Sequence, residues 1–296
     1  MYGKLYVVAT PIGNLADFSF RALEVLKQVD LIAAEDTRHV KMLLSHYGVN
    51  KPLTSLHQHN EDKASLGLVE RMQQGQSVAL VSDAGTPIIS DPGLPLVRLA
   101  RQHGIDVTPI PGACALIAAL SVAGLPTSRF SFEGFLPRTA SARREFFRDK
   151  LSDESTWAFY ESSHRIQAAL EDMAAVFPAE HRIVVAREIT KLHETIADGS
   201  LAEVLVRVQA DENMRKGEFV VIAAGSPPAE KSDQISDAER RILALLLQEC
   251  SIKTAVAWRW KSPANARKRY TRPRWRCRAK AAADSRVSCS GRWGPA

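Results

Sequence analysis

The sequence predicts an α/β protein made of two α/β domains and a short helical C-terminal appendage. Three observations carry this. Short apolar runs alternate with amphipathic stretches of ten or more residues from Leu5 to Gly124. A second alternating set begins after Gly124-Leu125-Pro126-Thr127. A polar, proline-bearing stretch, SPPAEKSDQ (226–234), reads as a linker to a further helical pattern. Strands separated by full-length helices imply parallel pairing, with both faces of the sheet covered.

In order, LYVVAT (5–10) reads as a buried strand, FSFRALEVLKQV (18–29) as a helix and LIAAED (31–36) as a second strand. Helix TRHVKMLLSHYG, segment PLTSLHQHN (52–60), helix EDKASLGLVERMQQG and strand SVALVSD (77–83) follow. Helix LPLVRLARQHG, strand IDVTPIP (105–111) and helix ACALIAALSVAG close the first domain, 1–124. In the second domain, 125–227, RFSFEGFL, STWAFYE (155–161), RIVVAREI (182–189), HETIADG and GEFVVIAAG (217–225) read as strands. ARREFFRDKL, IQAALEDMAAVF and LAEVLVRVQ read as helices, and the late clustering of strands suggests some antiparallel pairing. A partial helical domain, 228–257, opens on SDAERRILALLLQE, where Ser236 and Glu239 have the spacing of a capping box.

Composition limits the class of protein. The 296 residues are 45% hydrophobic, enough for two cores. No apolar run is long enough to cross a bilayer, and Met1-Tyr2-Gly3-Lys4 leads into a strand without a signal-like segment. Four scattered cysteines have no paired spacing, so a reduced, cytoplasmic protein is expected. The net charge of +6 comes from the tail: residues 258–296 hold twelve Lys or Arg and one acid, leaving 27 basic and 32 acidic residues, a net of −5, in 1–257. The tail also holds four of the five tryptophans and follows no helical or strand period. Two readings stand, a nucleic-acid-binding arm or sequence translated in a shifted reading frame, and the second is favoured.

In open α/β sheets, ligands bind beyond the carboxyl ends of the strands. Those ends here carry Thr10-Pro11-Ile12-Gly13-Asn14, Glu35-Asp36-Thr37-Arg38, His57-Gln58-His59-Asn60-Glu61, SDAGTPIISDPG (82–93), Pro111-Gly112-Ala113-Cys114-Ala115 and Tyr160-Glu161-Ser162-Ser163-His164-Arg165. For the loop at 82–93 a metal site, a phosphate cradle, a cofactor loop and a capped turn are the options. The carboxylates Asp83, Asp91, Glu35 and Asp36 lack a recognised ligand spacing, and His57 and His59 have no cysteine or HxxxH partner, so no metal is expected. GxxxxGK[ST] is absent, and PIGN stands where a Rossmann protein has GxGxxG. Asp91, before Pro92, is expected to cap the following helix. Asp83, beside Ala84 and Gly85, suits close approach of a polar ligand.

Taken together, VATPIGNLADFSFRA, AAEDTR, LHQHNE, LVSDAGTPIISDPG, PIPGACALIAALSVAGL, FEGFLPR and FYESSHR resemble the ribosomal RNA small-subunit methyltransferase I family, of the tetrapyrrole-methylase fold. The resemblance covers residues 3–257. It implies a homodimer of two-domain subunits, with S-adenosylmethionine in the interdomain cleft. It also implies 2′-O-methylation of a decoding-region cytidine of 16S rRNA within the small ribosomal subunit. Carried over by position, it places cofactor contacts at Pro11, Val81, Ser82, Asp83, Thr86, Cys114, Ala115, Glu161 and Glu218. Cys114 stands where relatives often have Ser or Thr.

A ribose hydroxyl is a weak acid and gains from a base as it attacks. Glu35, Asp36, His57, His59 and Glu61 are the candidates, with Asp36 or His59 preferred. Each has a structural alternative: Asp36 as a helix cap, Arg38 as a partner of Glu35 and not of RNA phosphate, the histidines as hydrogen-bonders, Glu61 as a helix N-terminal charge. Because 1–257 is net acidic, RNA contact is expected from a local patch of Arg138, Arg143, Arg144, Arg148 and Lys150, with Arg38, unless these form a solvated helix face. The rival readings are a tetrapyrrole C-methyltransferase, whose polycarboxylate substrate would suit a basic cleft, and a non-catalytic RNA-binding or assembly factor.

Overall fold

Residues 2–227 are described by the computed structural model; the appendage and the basic tail expected from the sequence lie outside the described residues. Strands β1 (Leu5–Val8), β2 (Leu31–Ala34), β3 (Leu53–Ser55), β4 (Val78–Val81) and β5 (Val107–Ile110) form a wholly parallel sheet in the order β3-β2-β4-β1-β5. β2 and β4 are buried at every position, as expected for unbroken apolar runs covered on both faces. Helices α1 (Phe20–Gln28) and α2 (Thr37–His46) cover one face, packing on Val8, Ile32, Ala34, Ala79 and Val81. Helices α3 (Glu61–Gln73) and α4 (Leu94–Gln102) cover the other, on Leu5, Leu31, Ala33, Val78 and Leu80.

This arrangement positions the site. β1 and β4 are neighbours, yet α1 leaves β1 for one face and α4 leaves β4 for the other. The crevice beyond their carboxyl ends is therefore a topological switch point. An antiparallel bridge between Thr10 and Gly85 ties the two outgoing loops together there.

The second sheet contains β6 (Phe130–Phe135), β7 (Thr156–Ser162), β8 (Arg182–Arg187), β9 (Thr195–Ser200) and β10 (Glu218–Ala223), ordered β6-β7-β10-β8-β9. Only the β6–β7 pairing is parallel; the other three are antiparallel. Alternation sorts its side chains. Trp157, Phe159, Val185, Phe219 and Val221 face the core under α6 (Ala140–Lys150), α7 (Ile166–Ala174) and α8 (Leu201–Ala210). Ala158, Tyr160, Val184, Ala186, Val220 and Ile222 face α5 (Ala115–Val122). Helix α5 thus starts at the end of β5 and packs its Leu116, Ala119 and Leu120 on the second sheet.

Asp91 does not cap α4. The helix begins at Leu94, with Gly93 as its N-cap at φ 120° and Pro95 in its first turn. A Cβ on Gly93 would lie 2.6 Å from Leu80 Cδ2, so the chain must pass as glycine, and Asp91 is left two residues upstream with its carboxyl free of the helix.

Candidate active site

Loops from both sheets converge on one cleft of about 600 Å³. The first sheet contributes Ile12 after β1, Ala84–Thr86 and Ile89–Asp91 after β4, and Cys114-Ala115 after β5. The second contributes Phe135, Tyr160–Ser163, Glu188, Ile189, Lys191, and Gly217–Val220. The floor is small-residue backbone. A Cβ on Gly85 would meet Ile12 Cγ2 at 3.3 Å and the Ala113 carbonyl at 3.7 Å, and one on Gly112 would collide with Ala9 at 2.9 Å.

Backbone strain is concentrated in the loops on either side. Ile88 and Ser90 have φ of 77° and 69°, and Glu188 and Thr190 have φ of 50° and 68°. A β-branched residue in this region is an outlier that only a strongly determined loop sustains. The first loop is held by Thr10 Oγ1 donating to Ser82 O (3.2 Å) and by Thr86 Oγ1 donating to Ala113 O (3.0 Å). Gly93 N donates to Glu61 Oε2 at 2.8 Å, so Glu61 ties the β3–α3 turn to it. In the second loop, Lys191 Nζ bridges Glu188 (2.9 Å) and Glu218 (3.0 Å) and lies over Gly13.

Thr86, Cys114, Ala115, Glu161 and Glu218 border the cleft, among the residues that the resemblance assigns to cofactor. Pro11, Val81 and Ser82 are buried just behind it, next to the lining residues Ile12 and Ala84. Asp83 is turned sideways: Oδ1 accepts from Asp36 N at 2.9 Å and Oδ2 lies 3.4 Å from His39 Nδ1. Glu161 borders the cleft, but strand alternation carries its side chain with Trp157 and Phe159 toward the helices. There its carboxylate is fully buried, 3.2 Å from Arg165 Nη2, and desolvation raises its pKa against the pull of Arg165. Its neighbour Tyr160 faces the cleft instead, its hydroxyl accepting from Leu116 N at 3.2 Å and its pKa pushed up to about 12, first by burial.

The preferred base candidates are placed elsewhere. Asp36 is the N-cap of α2, accepting from Arg38 N at 2.8 Å, and its second oxygen holds the Arg38 guanidinium at 2.9 Å. The Arg38 hydrogen bonds bring its pKa down to about 2, which leaves a very weak base. Arg38 therefore pairs with Asp36 and not with Glu35. His59 is exposed outside the cleft; its N–H donates to His57 Nδ1 at 3.3 Å, closing the turn before α3. Glu35 lies near Asp91 and Asp83, and burial followed by repulsion from those two raises its pKa.

The arginine cluster divides. Arg143, with its side chain 7% exposed, donates Nε to Asp172 at 2.8 Å and Nη1 to Arg138 O at 2.8 Å. It is therefore a buried strut and not an RNA contact, a role the i,i+3 pattern of α6 could not reveal. Arg144 Nε also reaches Asp172, at 2.7 Å, from a half-exposed position. Lys150 is taken up by Glu133 and Asp153. Arg138 and Arg148 remain exposed.

Tyr160, Glu188, Lys191, Phe135 and Asp91 complete the cleft without having been assigned to it from the sequence. The strand-end rule applied to β8 would have found Glu188. No pattern in the letters marks the positive-φ turns that aim Asp91. Among the described residues no cluster of His, Cys, Asp and Glu could hold a metal ion, and no helix is long and apolar enough to cross a membrane.

Comparison with known proteins gives a consistent picture. The sequence profile of Tetrapyrrole (Corrin/Porphyrin) Methylases matches residues 4–205. Ribosomal RNA small subunit methyltransferase I of Haemophilus influenzae is 51% identical over 255 residues, 86% of this chain and 90% of that protein. The protein of that name from Xylella fastidiosa is 53% identical over 254 residues, 86% of this chain and 92% of its own. The fold is shared with the crystal structure of the methyltransferase CobJ, at a TM-score of 0.56 and 20% identity, over 75% of this chain and 94% of that one.

Proposed function

The chain belongs to the tetrapyrrole methylase family, in its ribosomal RNA small subunit methyltransferase I group, and on that premise we propose that it methylates small-subunit ribosomal RNA from S-adenosylmethionine. The acceptor is the 2′-oxygen of a cytidine ribose in the decoding region of 16S rRNA, and the working form is a homodimer. The observation that carries this reading is the switch-point cleft, small-floored and open to both sheets.

The residues present fit S-adenosylmethionine. Its volume suits a 600 Å³ cleft with room left for a ribose. Ala84, Gly85, Cys114 and Ala115 leave backbone groups approachable, and Cys114, the N-cap of α5, makes no side-chain cap bond to the first turn. Apart from Leu116 N, which Tyr160 takes, the first-turn N–H groups of α5 suit a carboxylate, and cleft carboxylates suit an ammonium and ribose hydroxyls. The cofactor, when bound, supplies a methyl group on a sulfonium sulfur. What the chain supplies is alignment: transfer is a single in-line displacement, so holding acceptor, methyl and sulfur in line is the main lever. The Thr10–Gly85 bridge fixes one wall and the Lys191 ion pairs fix the other, with the Lys191 side chain lying over Gly13 of the first.

The lining also bears on the tetrapyrrole alternative. It carries Asp91, Glu188 and Glu218 against the single cation Lys191, Glu161 being turned away to Arg165. An acidic cleft repels a polycarboxylate macrocycle but admits a neutral ribose hydroxyl while phosphates stay at the rim. Exposed Arg38, Arg138, Arg144 and Arg148 are the RNA contacts proposed. Incubating the protein with methyl-labelled cofactor and small subunits from a strain lacking the modification, then mapping the label, tests the reading. Label on a cytidine ribose in the decoding region is expected. Label on a base, on protein or nowhere would overturn it.

A further inference from the structure

We propose that Asp91 is the catalytic base that receives the ribose proton during methyl transfer. The assignment rests on the methyltransferase reading above, and four observations point to it.

Asp91 lines the cleft from the β4–α4 loop, in company with Tyr160 and Phe135 of the second sheet. The residues around it are held in costly backbone, Ile88 at φ 77° and Ser90 at φ 69°, and the chain just after it is pinned by Glu61 on Gly93 N. Strain that aims a side chain is kept where aim matters. Asp91 is also the cleft carboxylate left without a cation among the described residues. Glu161 is taken by Arg165, and Glu188 and Glu218 by Lys191. Behind the cleft, Asp83 is bound to Asp36 N and His39, and Asp36 to Arg38. Finally, the groups facing Asp91 keep it basic. Burial is the largest influence and repulsion from Asp83 adds to it, while a hydrogen bond from Ser82 opposes them; the pKa reaches about 6. Glu35 is raised in part by Asp91, and the Tyr160 hydroxyl, itself raised, stays protonated. Glu61 and Cys114 complete the surrounding titratable groups.

The step balances. The 2′-oxygen attacks the methyl carbon, the O–C bond forms, and the S–C bond breaks with its electron pair left on a now neutral sulfur. The O–H bond breaks and its proton passes to an Asp91 carboxylate oxygen, from which it is lost to water. A base with pKa near 6 is ionised at neutral pH yet still basic enough to matter, which the capped Asp36 is not.

The test is turnover at saturating cofactor and saturating small subunits for wild type and Asp91→Asn, with cofactor affinity by calorimetry. The expected result is a loss of at least about 100-fold in kcat with cofactor Kd within about threefold. Wild-type kcat should rise with pH through an apparent pKa near 6, and Ser82→Ala, which removes the opposing hydrogen bond, should move that limb to higher pH. A kcat within about threefold of wild type, or a defect confined to cofactor affinity, overturns the assignment and makes Asp91 a cofactor ligand. Should the Asn variant not fold, a wild-type profile flat from pH 5 to 8, or one unmoved by Ser82→Ala, overturns it equally. A wild type that labels no ribose overturns the functional reading and this assignment together; an active wild type with an unimpaired Asp91→Asn overturns this assignment alone.

Discussion

On the first-sheet side of the cleft, Glu35, Asp83 and Asp91 crowd together, with His39 at 3.4 Å from Asp83 as the basic group among them. On the second-sheet side Glu161 meets Arg165, and Glu188 and Glu218 share Lys191. The two sets of carboxylates have similar surroundings in sequence, each at the ends of apolar strands. Their partners make the difference. At Glu188 the Lys191 ammonium holds the carboxyl below its ordinary range, whereas at Glu35 and Asp91 burial and like charge hold the proton more tightly and keep some basicity. Glu161, fully buried, is raised in spite of Arg165. The second sheet extends its pairing behind the cleft, where Asp172 receives both Arg143 and Arg144.

The comparison can be broken most forcefully at Asp172. Asp172→Ala leaves the Arg143 guanidinium buried and unpaired and should cost about 3–5 kcal/mol in urea unfolding. Asp91→Asn should do the reverse. Its folded pKa lies above the unfolded value, so wild type loses stability from this group as pH rises from about 4 to about 6. The Asn variant has no such loss and should melt no lower than wild type above pH 6. A marked destabilisation there would place Asp91 among the structural carboxylates.

A smaller effect is expected at Lys191→Met, which frees Glu188 and Glu218 and loosens the loop over Gly13. Cofactor KM should rise about tenfold with kcat changed less than about threefold, because the clamp acts on alignment and binding and not on the proton. Charge reversal at exposed Arg138 or Arg148 should weaken subunit binding severalfold and lower its salt slope by about one each. Arg143→Ala should show its effect in melting instead. The smallest effect is expected at Asp36→Ala: a lower melting temperature from the lost α2 cap, with kcat within about threefold of wild type.

Periodicity made most of the fold legible. The apolar runs at 5–10, 31–36, 77–83 and 105–111 are four of the five strands of a parallel sheet, the short β3 lying in the segment 52–60, and the late strands pair antiparallel as expected. The strand-end rule then located the cleft. What the letters concealed was direction. Glu161 and Tyr160 are adjacent, and only the register of β7 decides that the hydroxyl and not the carboxylate faces the cleft. Ser82-Asp83 and Ser90-Asp91 look alike, yet the positive φ of Ile88, Ser90 and Gly93 sends Asp91 into the cleft while Asp83 turns to α2. Arg143 looked like its exposed neighbours because a helix pattern does not show which arginine finds a buried acid. Of the two capping alternatives, Asp36 caps α2 as one of its readings had it, and Asp91, expected to cap α4, does not.

The most direct test is a crystal structure of the protein with S-adenosylhomocysteine. The expected density lies in the cleft against Ala84–Thr86 and Cys114-Ala115, with the Asp91 carboxylate facing open space beside the sulfur and not bonded to the ligand. Ligand bound outside this cleft would contradict the account at its root, and an ammonium or ribose hydroxyl seated on Asp91 would contradict the part given to that residue.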